Sequence, residues 1–321
     1  MRKKSISYAK YGYLFSIPFV LAFLIFNFYP TLYTVIIGFT DLRGLGRTTF
    51  KFLENPFQNY IQILNNETFK GSLRTTLIIW IWDFIPQILL ALLLTAWFTN
   101  RRLKIKAQGF FKVLIYMPNI ITAATIAILF NSLFGYPKGP VNDLLMKLGI
   151  LDAPSNFHLQ RWTARGVVAF IQFWMWYGHS MIVLIAGVLG INPTLFEAAE
   201  VDGATPSQIF FKITLPRLKT ILLYVLVTSL IGGLQMFDIP KLFLWGGPDN
   251  ATLTSSVFIY NQAFSGSYLY NRASAASMIV FLIIVFLSII MFQIMRDKDA
   301  SKLRKLERKR RKEAKRMEEA I

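Results

Sequence analysis

The sequence contains no cysteine in its 321 residues. Disulfide bonds, cysteine-ligated zinc and thiol chemistry are therefore excluded, although this absence does not identify a compartment. Histidine is scarce, with only His158 and His179, and neither the HExxH nor the GxSxG signature occurs. The sequence therefore predicts that the protein is not an enzyme and has no metal site and no cofactor.

The phosphate-binding loop of nucleotide hydrolases is also missing, because no segment reads GxxxxGK[ST]. The chain therefore has no P-loop with which to cradle the phosphates of ATP. Any nucleotide hydrolysis linked to this protein must come from a partner.

Charge is sparse as well: 16% of the residues are charged, whereas 54% are hydrophobic. This balance is too apolar for an ordinary soluble domain and is typical of a chain that crosses a membrane several times. A helix needs about 20 apolar residues to cross about 30 Å of hydrocarbon. Six stretches meet this requirement, at residues 12–37, 73–99, 110–134, 166–188, 218–237 and 274–295. The sequence therefore predicts an all-α polytopic membrane protein with six transmembrane helices.

The net charge of +18 would suggest nucleic acid as a partner if the protein were soluble. In a membrane protein the cations are first sorted by side. With the N-terminus inside, most of the 35 lysines and arginines fall on the cytoplasmic side, and many of them lie in the tail at residues 296–321. The positive-inside rule thus places both termini in the cytoplasm. We expect no nucleic-acid partner, and we expect the tail to lie in solvent or against anionic lipid.

The segment between the fourth and fifth stretches reads as two short helices joined by a turn. Thr194 and Glu197 have the spacing of a capping box in the first helix, and Gly203 is suited to end that helix. Thr205 caps the second helix with Gln208 at the matching position. An apolar stripe at helical spacing follows, formed by Pro206, Ile209, Phe210 and Ile213.

These residues resemble the EAA loop of the membrane subunits of bacterial ABC importers, in the form typical of carbohydrate uptake. The matching positions are Glu197, Ala198, Ala199, Asp202, Gly203, Ala204, Phe210, Ile213, Leu215 and Pro216. Residues 14–41, 236–264 and 272–278 are similar to the first of the two sugar permeases in such systems. The resemblance implies the type I ABC importer transmembrane fold, located in the bacterial cell membrane.

The resemblance also implies an organisation and a set of partners. Residues 1–11 form a cytoplasmic N-terminus, residues 12–295 form the permease domain with its coupling loop at 190–217, and residues 296–321 form the basic tail. The implied partners are a second permease subunit, two ATPase subunits, an extracytoplasmic solute-binding protein and the lipid bilayer. The residues implied in ATPase coupling are Glu197, Ala198, Ala199, Asp202, Gly203, Phe210, Ile213 and Pro216.

Polar and aromatic side chains crowd the middle of the fourth stretch. Polar groups at that depth are costly unless they face a cavity or another helix. Helix packing with an aromatic belt is one interpretation, and a sugar site with aromatic rings against pyranose faces is the other. The candidates are Trp174, Trp176, Tyr177, His179 and Ser180, with Ser229, Gly233 and Gln235 in the fifth stretch.

Other functions remain open from the sequence. Import of a polyol phosphate such as glycerol phosphate would require basic groups facing the pathway, and the fourth and fifth stretches show none there, since Lys219 lies at the cytoplasmic end of the fifth. An ion-coupled secondary transporter would require intramembrane acids, of which Asp83 is the clear example. An importer of a sugar or oligosaccharide is the prediction that the residues favour.

Overall fold

The computed structural model describes residues 9–103, 105–266 and 268–295, and these residues are mostly helical. The N-terminal residues 1–8 and the predicted basic tail lie outside this description. The α-helices are, in chain order, α1 (Ala9–Phe23), α2 (Tyr29–Ile37), α3 (Gln58–Leu64), α4 (Glu67–Phe98), α5 (Gln108–Tyr116), α6 (Ala123–Leu133), α7 (Pro140–Lys147), α8 (Arg161–Leu189), α9 (Pro193–Val201), α10 (Pro206–Ile209), α11 (Leu215–Arg217), α12 (Lys219–Leu234), α13 (Asp238–Leu244), α14 (Ser255–Phe264) and α15 (Tyr270–Met295).

Among the described residues, five helical segments are long and apolar enough to cross a membrane, and a sixth span results if one broken pair is counted as a single crossing. The five are Lys10–Ile37, Glu67–Phe98, Arg161–Leu189, Lys219–Leu244 and Tyr270–Met295. The all-α, multi-span fold class predicted from the sequence is confirmed. Pro86 lies inside α4, which nevertheless continues unbroken to Phe98.

The third predicted span is not one continuous helix. The chain from Gln108 reaches a 3₁₀ turn at Met117–Ile120, and a new helix begins at Ala123. Pro118 supplies no backbone N–H to the turn, and Thr122 caps the next helix by accepting a hydrogen bond from the Thr125 amide. The prediction that residues 110–134 are apolar and helical is therefore correct, but the prediction of one continuous span is wrong.

The part of the chain that the structure describes contains two π-helical turns, and each ends next to a proline. Leu24–Phe28 is closed by a hydrogen bond from the Tyr29 amide to the Leu24 carbonyl, just before Pro30. Phe210–Thr214 is closed in the same way from the Leu215 amide to Phe210, just before Pro216. Proline removes one helical hydrogen bond and crowds the preceding turn, so a wider turn before it relieves the clash.

Most of the spans extend beyond the bounds expected from hydropathy, and the extensions of spans four and five bring cations into them. Span four begins at Arg161 rather than at 166, and span five continues through a break after Leu234 into α13, which ends at Leu244. The extended spans therefore include Arg165 and Lys241, which the sequence bounds had left outside.

The chain divides into two compact units, each built from separate stretches. One unit contains residues up to 82, residues 122–171 and residues 233–283. Within it the buried Arg165 donates through Nε to the Ala251 carbonyl at 2.7 Å and through a terminal nitrogen to Thr75 Oγ1 at 2.9 Å. These bonds join α4, α8 and the loop before α14.

The other unit contains residues 83–121, 172–232 and 284–295. Its core is an apolar cluster of Ala91, Met181, Leu184, Ile185, Val188, Leu218 and Val225. Gly178 allows α8 to approach α5 closely, since a Cβ atom there would collide with the Ile115 carbonyl. This packing fixes the ends of α4 and α8 from which the candidate site is built.

Candidate coupling segment and translocation residues

The first short helix of the candidate site, α9, is capped by a residue other than the predicted one. Asn192 is its N-cap, and the Asn192 side chain accepts hydrogen bonds from the Thr194 amide at 3.1 Å and the Thr194 hydroxyl at 3.0 Å. Because Pro193 is the first helical residue, the residue before it takes the capping position. The expected Thr194 and Glu197 capping box is therefore wrong.

The end of α9 is a Schellman motif centred on Gly203, which has φ +76°. The Ala204 amide bonds to the Ala199 carbonyl at 2.9 Å, and the Gly203 amide bonds to the Glu200 carbonyl at 3.1 Å. Glycine adopts this left-handed conformation without the Cβ penalty of other residues. The expectation that Gly203 ends the helix is confirmed.

The second short helix begins with the predicted capping box. The Gln208 amide donates to Thr205 Oγ1 at 3.3 Å, and the Thr205 amide donates to Gln208 Oε1 at 2.8 Å. After α10, the backbone passes through the π turn Phe210–Thr214 into α11. Side-chain caps thus determine where α9 and α10 begin, and Pro216 shapes the turn that leads into span five.

One face of α9 is exposed and carries most of the predicted coupling residues. Glu197, Ala198, Asp202 and Gly203 are exposed, whereas Ala199 is buried. Phe210 and Ile213 are half-buried, and Pro216 is exposed. The most exposed large apolar side chains in this segment are Val201 at 87% and Phe211 at 62%. The sequence did not single out these two residues, because neither belongs to the predicted apolar stripe and their exposure depends on how α9 and the π turn are oriented in the fold.

Two arginines from the end of span two hold this segment, and sequence reasoning did not identify them. Arg101 forms a salt bridge with Glu197 Oε1 at 3.3 Å. Arg102 donates to the Ala204 carbonyl at 3.1 Å. The adjacent Arg-Arg pair directly after an apolar span was the available signal. Both arginines are exposed, so these contacts place the segment 190–217 against the turn that follows α4 without adding much stability.

The span-four candidates divide by environment. Ser180 is buried and accepts a hydrogen bond at 2.7 Å from the Gln87 amide of α4, which is itself buried. Trp176 is 44% exposed, and its ring meets the His179 ring edge-on at 5.7 Å. Tyr177 is half-buried and stacks on Phe173 at 5.5 Å. Trp174 is half-buried in the same stretch of α8.

The span-five candidates lie near the interruption between α12 and α13. Ser229 is half-buried within α12. Gly233 is buried, and a Cβ atom there would collide with the Trp80 indole, so this glycine permits close packing. Gln235 is exposed and lies in the non-helical break before α13. Gln235 therefore presents an amide where the backbone itself leaves helical geometry.

The fold has close counterparts among solved structures. The chain is similar to a subunit in the crystal structure of a bacterial alginate ABC transporter in complex with an alginate pentasaccharide-bound periplasmic protein. The TM-score is 0.73 at 26% sequence identity, covering 88% of this chain and 93% of that chain. The architecture is thus that of an ABC importer permease.

The chain belongs to the family described as the binding-protein-dependent transport system inner membrane component, whose model matches residues 63–304. It is similar to the arabinooligosaccharides transport system permease protein AraP of Bacillus subtilis, with 34% identity over 278 residues, covering 85% of this chain and 84% of AraP. It is also similar to the lactose transport system permease protein LacF of Rhizobium radiobacter, with 30% identity over 289 residues, covering 89% and 94%. The chain is therefore a multi-pass membrane permease component and not an enzyme.

Proposed function

We propose that this chain is the permease subunit of an ATP-driven importer that translocates a sugar or oligosaccharide delivered by an extracytoplasmic binding protein. A second permease completes the pathway, and two separate ATPase subunits supply the energy. The similarity to AraP and LacF over most of the chain supports a carbohydrate substrate. The likeness to the alginate transporter complex supports delivery by a binding protein.

The observation that carries this proposal is the exposed face of α9, the helix that ends at the Gly203 turn. A helix that exposes Val201 at 87% next to the carboxylates of Glu197 and Asp202 has an apolar centre and a polar edge. Protein interfaces commonly have this composition. We assign this face to the ATPase subunit, with the half-buried Ile213 of the same coupling segment as a further contact.

Both termini are assigned to the cytoplasm, because this orientation puts the coupling segment on the ATPase side and agrees with the positive-inside rule. Within the pathway, Trp176 and Gln235 are the exposed candidates for sugar contact. Trp174, Tyr177, His179 and Ser229 are half-buried near them in sequence. Ser180 and Gly233 support helix packing through Gln87 and Trp80.

Import of a polyol phosphate is the second candidate function, because the extended spans four and five contain the cations Arg165 and Lys241. Arg165 directs two of its donors to Thr75 and Ala251. Lys241 donates to Asn261 Oδ1 at 2.9 Å and lies 4.9 Å from the centroid of the Trp245 ring. The alternative therefore rests on Lys241, whose ammonium group already has Asn261 and the rings of Trp245 and Tyr260 as partners.

Uptake by proteoliposomes tests the proposal. The chain is reconstituted with the second permease, the ATPase and the binding protein encoded beside it, and uptake of radiolabelled arabinooligosaccharide, lactose and glycerol phosphate is compared with and without internal ATP. We expect ATP-dependent uptake of a saccharide and none of glycerol phosphate. Uptake of glycerol phosphate alone would support the alternative, and uptake driven by an ion gradient without ATP would contradict both.

A further inference from the structure

A groove of about 960 Å³ runs along the end of α4. Leu89, Leu93 and Trp97 form its α4 wall, and Leu189 and Phe211 line it from α8 and the coupling segment. We call this feature the α4 groove. It lies entirely within the unit that holds residues 83–121 and 172–232.

The apolar wall has the length of one membrane leaflet. Leu89, Leu93 and Trp97 follow one another at four-residue spacing and therefore share one face of α4. Leu89 is 61% exposed and Trp97 is 52% exposed. From Leu89 to Phe98 the helix rises about 14 Å at about 1.5 Å per residue, and half of the hydrocarbon thickness is about 15 Å. The wall thus matches the reach of one acyl chain.

The end of the groove beyond Phe98 is cationic. Arg101, Arg102 and Lys112 line this end, with Glu200 as the acidic residue among the lining. Lys112 Nζ lies 5.6 Å from the centroid of the Phe98 ring. Arg102 uses one of its five N–H donors on the Ala204 carbonyl. With Arg101 paired to Glu197, the cations Arg102 and Lys112 still exceed the single acid Glu200 where the span ends, which is the depth of lipid headgroups.

We propose that the α4 groove binds one anionic phospholipid. The phosphate lies between Arg102 and Lys112, and one acyl chain lies along Leu89, Leu93 and Trp97. Apolar contact over the length of a leaflet selects a lipid rather than a free phosphate, and the excess of cations selects an anionic headgroup. Trp97 marks the interface, where indole rings are enriched.

The lipid has a direct route to the coupling segment. The phosphate that contacts Arg102 contacts the same guanidinium that holds the Ala204 carbonyl. The groove is also lined by Phe210 and Phe211, which belong to the π turn before span five. An occupied groove therefore stiffens the segment that we assign to the ATPase. This inference concerns the lipid and does not depend on which substrate is transported.

Native mass spectrometry of the purified full-length chain tests the proposal. The protein is released from detergent and titrated with dioleoyl phosphatidylglycerol, and separately with dioleoyl phosphatidylcholine as the zwitterionic probe. The double variant Arg102→Gln/Lys112→Gln removes the cationic end, and Leu93→Trp fills the apolar wall. The matched control is Lys138→Gln/Lys147→Gln, which removes two exposed cations at and just before α7. Monodispersity on size exclusion confirms that each variant is folded.

We expect the first phosphatidylglycerol to bind the unmodified chain at least tenfold more tightly than phosphatidylcholine. The Arg102→Gln/Lys112→Gln variant should lose about tenfold or more of this affinity, since each cation near a lipid surface contributes measurably, and Leu93→Trp should weaken both lipids. The control pair should bind as the unmodified chain does. Equal affinity in both double variants would overturn the proposal. So would loss of bound lipid when the ATPase subunits are added, because the groove would then be a protein interface.

Discussion

Glu197 can pair with Arg101 of this chain or with the proposed ATPase subunit. Mutating Arg101 distinguishes these two roles, because it removes the first partner and leaves the second. In the structure it pairs with Arg101, but both side chains are about half exposed. Exposed pairs contribute roughly 0 to 1 kcal/mol. The carboxylate is therefore worth little to the fold of this chain, which agrees with our proposal that it contacts the ATPase subunit.

We predict that Arg101→Gln leaves the unfolding temperature and ATPase copurification nearly unchanged, whereas Glu197→Gln weakens copurification and transport. The charge swap Arg101→Glu/Glu197→Arg should not restore transport, because it rebuilds the intramolecular pair without restoring the acid at 197. Recovery of transport in the swapped chain would assign Glu197 to Arg101 alone.

The candidates in span four separate into a packing residue and a contact residue. Ser180→Ala leaves the buried Gln87 amide without its 2.7 Å acceptor, and an unmet buried donor costs about 1 to 3 kcal/mol. We predict a lower unfolding temperature with unchanged substrate preference. Trp176→Ala should do the reverse, with an altered apparent KM for the saccharide and little change in thermal stability. The same thermal loss in both variants would remove the distinction.

His158 predicts a pH dependence of stability outside the membrane spans. Its ring is half-buried and lies edge-on to Phe243 at 5.0 Å, and this burial lowers the pKa of His158 from its ordinary value of 6.5. The neutral form is therefore favoured when the protein is folded. Its stabilising contribution is complete above pH 6.5 and is lost as the pH falls toward the lowered folded pKa, because the unfolded chain takes up the proton first.

We predict that the unfolding temperature of the purified protein falls between pH 7.5 and pH 5.5, and that His158→Phe reduces this fall. The phenyl ring keeps the contact with Phe243 but does not titrate, so the substitution isolates the proton. An identical fall in the variant would show that other groups carry the dependence.

At the scale of elements, the sequence predicted best what is decided locally. The Thr205 and Gln208 capping box and the Gly203 turn each depend on residues within a few positions, and both are present. Apolar composition predicts neither the break in span three nor the continuation of span five into α13. Both depend on where the backbone leaves helical geometry, and a count of apolar residues contains no information about that. The bond between Gln87 and Ser180 joins two helices, and no local pattern encodes it.

The turn between α9 and α10 is the element whose loss has the clearest expected result. Gly203 has φ +76° and its amide bonds to the Glu200 carbonyl. Proline fixes φ near −65° and removes that amide, so we predict that Gly203→Pro stays in the membrane but loses ATPase copurification and transport. Gly203→Ala should have a milder effect, since a left-handed alanine costs about 1 to 2 kcal/mol.

The control for this turn is Gly71→Ala, because Gly71 lies in α4 with open space around the position of its Cβ atom. Alanine is the better helix former there, so transport and stability should be at least maintained. Full transport by Gly203→Pro would mean that the turn does not present the coupling face.

At the scale of the whole molecule, composition alone predicted a multi-span membrane protein, and the family match confirms that class. The groove along α4 and the exposure of Val201 required the structure, because the groove forms where α4, α8 and the coupling segment meet and the exposure depends on which face of α9 is covered. These features separate the parts of the chain that we assign to lipid, to substrate and to the ATPase.

The central claim is that the exposed face of α9 binds an ATPase subunit, and the natural absence of cysteine makes it directly testable. A single cysteine at Val201 receives a short photoactivatable cross-linker in native membranes, with a cysteine at Lys138 as the control, and the cross-linked partner is identified by mass spectrometry. We predict that Val201→Cys captures a subunit containing a nucleotide-binding P-loop, and that Lys138→Cys does not. Capture of that subunit from position 138 only, or labelling of the Val201→Cys thiol by an impermeant reagent added outside intact cells, would contradict it.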